Sequence, residues 1–138
     1  DKPLELTVDV DEGLKVYADE NQVKQVLINV ILNAVEAQKD IAKAVVKVAA
    51  RAADSYIKIT VEDAGPGIEP QALRRIFDPF FTTKSGGTGL GLAISYQLIV
   101  ENQGEIWARN MPQGGARLVI KLPMAPKGES RDEDINCG

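Results

Sequence analysis

Residues 26–37 read VLINVILNAVEA, and the way this stretch folds decides how the rest of the chain is read. Large aliphatic side chains surround Asn29 and Asn33. Asparagine favours caps and turns because its amide competes with the backbone for hydrogen bonds, so two of them in an apolar run need partners. Upstream, Asp19 precedes Glu20-Asn21-Gln22, an N-cap with a capping-box partner, and the helical period continues to Lys39. A helix over residues 20–39 is expected. In helical projection Gln22, Gln25, Asn29, Asn33 and Glu36 form a narrow polar stripe, while Val23, Val26, Leu27, Val30, Ile31, Ala34 and Val35 fill most of the remaining surface. Such a stripe is either a solvent face or the wall of a polar cleft. A solvent-facing stripe would also leave Ile28 and Leu32, which flank it, at the water edge. In a cleft, amide oxygens are neutral hard donors, able to complete a Mg2+ shell whose other ligands are waters and phosphates.

On the N-terminal side of this helix, residues 4–10 (LELTVDV) alternate as a half-buried strand does, and residues 14–18 (LKVYA) make a second short strand. On the C-terminal side, residues 43–52 and 56–62 (YIKITVE) predict a hairpin turning at Ala53-Asp54-Ser55. The loop AGPGIEP follows, then a short helix around Pro70 to Ile76. Residues 77–91 (FDPFFTTKSGGTGLG) form a loop long enough to be functional or disordered. From Leu90, LGLAISYQLIVEN is helical and stops at Gly104 as a C′ glycine would stop it. EIWARN and ARLVIKLP close the sheet as a strand pair across MPQGG. Residues 125–138 have the charged composition of a disordered tail or linker, leaving one domain over residues 1–124. The order of elements predicts an α/β two-layer sandwich, helices on one face and a mixed sheet on the other.

The bulk properties narrow the function classes. A length of 138 residues with 44% hydrophobic content suits one domain with one core. The apolar runs are too short for a membrane span and residues 1–20 too charged for a signal peptide, so a soluble chain is expected. The lone Cys137 permits no internal disulfide, which fits a reducing compartment. A net charge of −4 without a basic block argues against nucleic acid as a partner. The chain has no histidine, so Asp, Glu, Lys and Asn are left to do its chemistry.

Two glycine-bearing segments suit a nucleotide. Asp63-Ala64-Gly65-Pro66-Gly67 follows a strand directly. The pattern serves a plain turn equally well. In a nucleotide site the carboxylate accepts a hydrogen bond from an exocyclic amine such as adenine N6, and Gly65 and Gly67 let backbone approach a flat base. Gly86-Gly87-Thr88-Gly89-Leu90-Gly91-Leu92 leads into a helix, where inward amides and the helix N-terminus favour phosphate, with Lys84 just upstream. It fits neither the P-loop nor the dinucleotide fingerprint, and by itself reads also as a flexible connection. Phe77, Phe80 and Phe81 are either loop anchors on the core or the clasp of a lid.

In this order and spacing the segments resemble the ATP-binding catalytic domain of sensor histidine kinases, in the superfamily shared with DNA gyrase, mismatch-repair ATPases and an ATP-driven chaperone. Asn29 to Ala34 looks like the N box, Asp63 to Gly67 the first glycine box, Phe77 to Phe81 the F box and Gly87 to Leu92 the second glycine box. DPFFTTK before GTGLGLAIS looks most like the nitrogen-regulatory type. The resemblance implies a mixed five-stranded sheet packed by three helices, with residues 69–88 as a mobile ATP lid. It implies ATP and Mg2+ as ligands, with Asn33 on the metal and Asp63 on adenine N6. Gly65 and Gly67 would shape the base pocket. Gly87, Thr88, Gly89, Leu90 and Gly91 would bind phosphates, and Lys84 and Arg75 would be lid cations. Glu36 departs from a common Lys, and Ala116 from a Thr that often helps hold a water linked to adenine.

In hydrolytic relatives the position of Asn29 is a glutamate acting as general base on water. The resemblance therefore implies a site that orients ATP and suppresses hydrolysis, keeping the γ-phosphate for another nucleophile. That nucleophile is a histidine in this family, on a helical dimerisation and phosphotransfer domain preceding the catalytic one, and the abrupt start at Asp1 reads as an excised fragment. The implied partners are that domain and a response-regulator receiver domain. The implied assembly is a monomer for the isolated domain and a homodimer for the parent, in the cytoplasm, soluble or membrane-anchored. Two other classes stand beside this one: an ATPase-driven machine of the gyrase or chaperone kind, and a non-catalytic nucleotide-sensing scaffold.

Overall fold

The helix that carries the two asparagines is pinned at both ends by carboxamide side chains. In the computed structural model, which describes residues 3–81 and 91–125, this helix, α1, runs Glu20–Glu36. Asp19 caps it, its carboxylate accepting from the Gln22 amide at 3.0 Å. The reciprocal half of the expected capping box is taken over by the distant Asn102. Its Oδ1 accepts from the Asp19 amide at 2.8 Å, and its Nδ2 donates to Gln22 Oε1 at 2.7 Å. At the other end the expectation of Lys39 overshoots. After Ala37 the backbone tightens into three-residue turns, because the side chain of Gln38 is drawn inward. Gln38 is fully buried; its Oε1 accepts from the Val45 amide, and its Nε2 donates to the carbonyls of Val45 and Ala34.

The sheet has the order β1-β2-β3-β5-β4, with β1 Leu4–Val10, β2 Ala44–Ala53, β3 Tyr56–Asp63, β4 Glu105–Asn110 and β5 Ala116–Pro123. β1 runs parallel to β2 and the other pairs are antiparallel, which is the expected mixed five-stranded sheet. The β2–β3 hairpin turns over Asp54-Ser55, with Asp54 in the left-handed region at φ 55°. Helices α2 (Pro70–Leu73) and α3 (Gly91–Glu101) complete the layer. Val26, Val30 and Ala34 of α1 and Ile99 of α3 pack on Val46, Ile57, Ile59, Val61, Ile120 and Leu122 of the sheet. Each such buried Val, Ile or Leu side chain contributes about 1.5–3 kcal/mol.

Four sequence expectations are corrected. Residues 14–18 are no strand; Val16 makes a single bridge to Met124, because β5 ends just before it and offers nothing further to pair. β1 is fully exposed rather than half-buried. Its apolar residues do face the helical side, Leu6 lying opposite the buried Val46, yet no helix covers this edge. The short helix α2 ends at Leu73, before Ile76, and gives way to turns. The glycine stop of α3 is a cap in which Gln103, φ 66°, takes the left-handed position. Gly104 donates to the Ile99 carbonyl at 2.9 Å and must lack a Cβ because the Lys121 carbonyl occupies that space.

Lys84, Gly87, Thr88, Gly89 and Leu90 lie outside the described residues, as do residues 126–138 of the tail expected over residues 125–138; its first residue, Ala125, is buried and donates to the Lys15 carbonyl at 2.9 Å. No helix among the described residues is long and apolar enough to cross a membrane. The Gln38 contacts generate a test. Gln38→Ala empties a fully buried site and leaves the half-buried Val45 amide and carbonyl without that partner, and should lower unfolding free energy by about 2–3 kcal/mol in urea titration.

Candidate functional site

The polar stripe of α1 divides when the helix packs. Gln25 and Glu36 face solvent, as do Ile28 and Leu32 at 57% and 59% exposure. Gln22, Asn29 and Asn33 are half-buried, on the side of α1 that meets the antiparallel α3. Asn29 donates to Ser95 Oγ at 3.4 Å, and this fully buried hydroxyl donates in turn to the Gly91 carbonyl at 3.0 Å. Asn33 Nδ2 donates to the Asn29 carbonyl at 2.9 Å. A Cβ placed on Gly91 would stand 4.0 Å from Asn33 Nδ2, so the start of α3 adjoins Asn33.

Asp63, the last residue of β3, lies in register with the buried Val46 and so projects to the helical side. Its Oδ1 accepts from the Gly65 amide at 2.9 Å and from the Ala116 amide at 3.2 Å. One oxygen thus fixes the carboxylate, and Oδ2 makes no hydrogen bond among the described residues. Ala116 lacks a hydroxyl, yet its backbone performs the orienting role. Gly65 sits against the Ala37 carbonyl and the stem of Gln38, so close that a Cβ there would lie 3.2 Å from that carbonyl. Ala37 itself donates to the Asn33 carbonyl at 2.9 Å. The structure therefore brings Asn29, Asn33, Asp63, Gly65 and Gly91 around one end of the α1–α3 pair.

Other predicted residues fall elsewhere. Arg75 engages its own segment: its Nε lies 3.7 Å from Asp78, and its guanidinium sits 4.8 Å from the Phe81 ring centre. Phe77 is a core anchor with its ring 5.7 Å from that of Tyr96, whereas Phe80 is 74% exposed at φ 67°. Sequence reasoning missed Ser95, Gln38 and Asn102. Ser95 left a trace as a small polar residue on the inner face of α3 and Asn102 as a polar residue just past its end; Gln38 stood off the polar stripe of α1 and left none.

The chemistry of the donor set suits an anionic ligand that brings its own metal coordination. No group of three or more Asp, Glu, Cys or His side chains able to hold a metal occurs among the described residues. Asn33 offers one neutral oxygen, which fits a Mg2+ ion whose remaining ligands are phosphate and water.

Comparison with known proteins shows the family of the fold. The family described as histidine kinase-, DNA gyrase B- and HSP90-like ATPase matches residues 18–126. The signal transduction histidine-protein kinase AtoS of Escherichia coli is 42% identical over 114 residues, covering 82% of this chain and 18% of AtoS. This chain thus spans less than a fifth of that relative. The catalytic domain of the histidine kinase ThkA superposes with a TM-score of 0.79 at 34% identity, over 89% of this chain and 82% of that one. ThkA in complex with the response regulator protein TrrA gives 0.74 at 30% identity, over 91% of this chain and 36% of that one.

The closeness of the β4–β5 turn to Asp63 can be tested directly. A Cβ on Gly115 would collide with the Asp63 carbonyl, so Gly115→Ala must push the strands apart. Thermal unfolding should register a loss of about 2 kcal/mol or more.

Proposed function

The chain belongs to the histidine kinase-, DNA gyrase B- and HSP90-like ATPase family as a sensor-kinase catalytic domain, and on that premise we propose that it binds Mg2+–ATP and presents the γ-phosphate to a histidine on a separate helical domain. The observation that carries this reading is the orientation of Asp63, one carboxylate oxygen held by Gly65 and Ala116. A carboxylate so fixed can meet the exocyclic amine of adenine without reorganising on binding. Gly65 and Gly67 shape the base pocket by letting the loop backbone pack closely against Ala37 and Asn110.

Asn33 would hold the Mg2+, which when bound neutralises charge between the phosphates. Asn29 is placed by Ser95 one turn earlier, and an amide cannot take a proton from water. The γ-phosphate is therefore spared hydrolysis and kept for transfer. In this reading the amides of Gly87, Thr88, Gly89, Leu90 and Gly91 receive the phosphates, and Lys84 and Arg75 approach them as cations; Arg75 would first leave Asp78 and Phe81. The chain contains no histidine, so the acceptor belongs to another domain. Dimerisation through that domain, transfer onward to a receiver domain and a cytoplasmic setting complete the proposal, the second supported by the ThkA–TrrA complex.

Two measurements test it. In calorimetry, Asp63→Asn should weaken ATP binding at least about tenfold, since a hydrogen bond to a charged group is lost; unchanged affinity overturns the adenine assignment. Asn29→Glu should hydrolyse ATP at least as fast as the unsubstituted chain, because it supplies the missing base. A large fall in that rate counts against the role given to Asn29.

A further inference from the structure

Asn110 ends β4 and turns its whole carboxamide onto one residue of the Asp63–Ile68 loop. Its Oδ1 accepts from the Ile68 amide at 2.7 Å and its Nδ2 donates to the Ile68 carbonyl at 2.6 Å. The side chain thereby imitates a neighbouring strand, satisfying both backbone groups of one residue. Its own backbone is paired in β4–β5 register with Ala116, the residue whose amide holds Asp63. Gly67, at φ 85°, passes so close that a Cβ there would lie 2.9 Å from Asn110 Oδ1. The clamp thus needs both the carboxamide at 110 and the bare backbone at 67.

The loop is tethered at two places. Its first turn is closed by Asp63 Oδ1 on the Gly65 amide, and its far end is held by Asn110. We infer that Asn110 is a positioning residue for nucleotide recognition: it holds Gly67 and Ile68 against β4 so that the base-facing loop and the Asp63 carboxylate are in place before the ligand arrives. This rests on the nucleotide-binding reading above. Without the far tether the loop must be ordered at the moment of binding, and that cost falls on affinity. The Gly65–Asp63 bond loosens with it. Recognition of the exocyclic amine is therefore lost along with overall affinity.

The test compares ATP with inosine triphosphate, which lacks the N6 amine, by calorimetry on the full chain in Mg2+. Asn110→Ala should bind ATP about tenfold more weakly, as expected for two lost hydrogen bonds, and its preference for ATP over inosine triphosphate should shrink. Asn110→Asp keeps the acceptor and loses the donor, and should fall between Asn110→Ala and the unsubstituted chain. A merely structural role would lower the melting temperature while leaving the preference between the two nucleotides intact, and that result overturns the inference. So does Asn110→Ala binding ATP as tightly and as selectively as the unsubstituted chain. Failure of the unsubstituted chain to bind ATP at all is a distinct outcome, which overturns the nucleotide reading itself and the inference with it.

Discussion

Everything in this fold depends on where α1 stops along its own axis. Hydrophobic burial presses Val26, Val30 and Ala34 onto the sheet, yet burial has no direction along a helix and leaves sliding and rotation poorly determined. Hydrogen bonds supply what burial lacks. Asn102, just past the end of α3, ties the start of α1 through Asp19 and Gln22, and Gln38 ties its end to both backbone groups of Val45. With both ends fixed, Asn33 arrives beside Gly91 and Ala37 arrives beside Gly65. The site is a consequence of that registration.

The same polar contacts explain why two helices with so much aliphatic surface meet through amides and a hydroxyl. Asn29, Ser95, Gln22 and Asn102 form a seam between α1 and α3, and no buried side-chain nitrogen or oxygen among the described residues lacks a partner. A seam of this kind is specific because each group must find its own complement, whereas aliphatic surfaces accept many arrangements. It also joins two parts of the site that are far apart in sequence. Asn29 reaches Gly91 through one hydroxyl, so the helix bearing the proposed metal ligand and the helix that follows the second glycine box share a hydrogen-bonded link.

Much of this was legible in the sequence for local reasons. Helix periodicity, the Asp19 cap and alternation in YIKITVE and ARLVIKLP all express interactions between near neighbours. Asn33 and Asp63 stood out as candidates because amides in an apolar helix and a carboxylate before glycines are chemically conspicuous. What escaped depends on residues distant in the chain. Nothing near Gln22 reveals that Asn102 takes its expected place on the Asp19 amide, and nothing near Gln38 reveals Val45 waiting across a turn. The exposure of β1 was misread because alternation reports which way side chains point and not whether any element lies over them. LKVYA failed as a strand because pairing needs a partner of matching length, which β5 does not provide.

The parallel pairing of β1 with β2 also bears on the order in which the molecule assembles. The β2–β3 hairpin closes through two residues, and β4 and β5 pair across a short turn, so both form at little entropic cost. Leu4 meets Ala44 only after the whole of α1 has been laid between them. Its uncovered side chains add little to hold it there. Paired to β2 alone and with its apolar face uncovered, β1 is the strand least held by burial, so this parallel edge is where local opening of the sheet costs least.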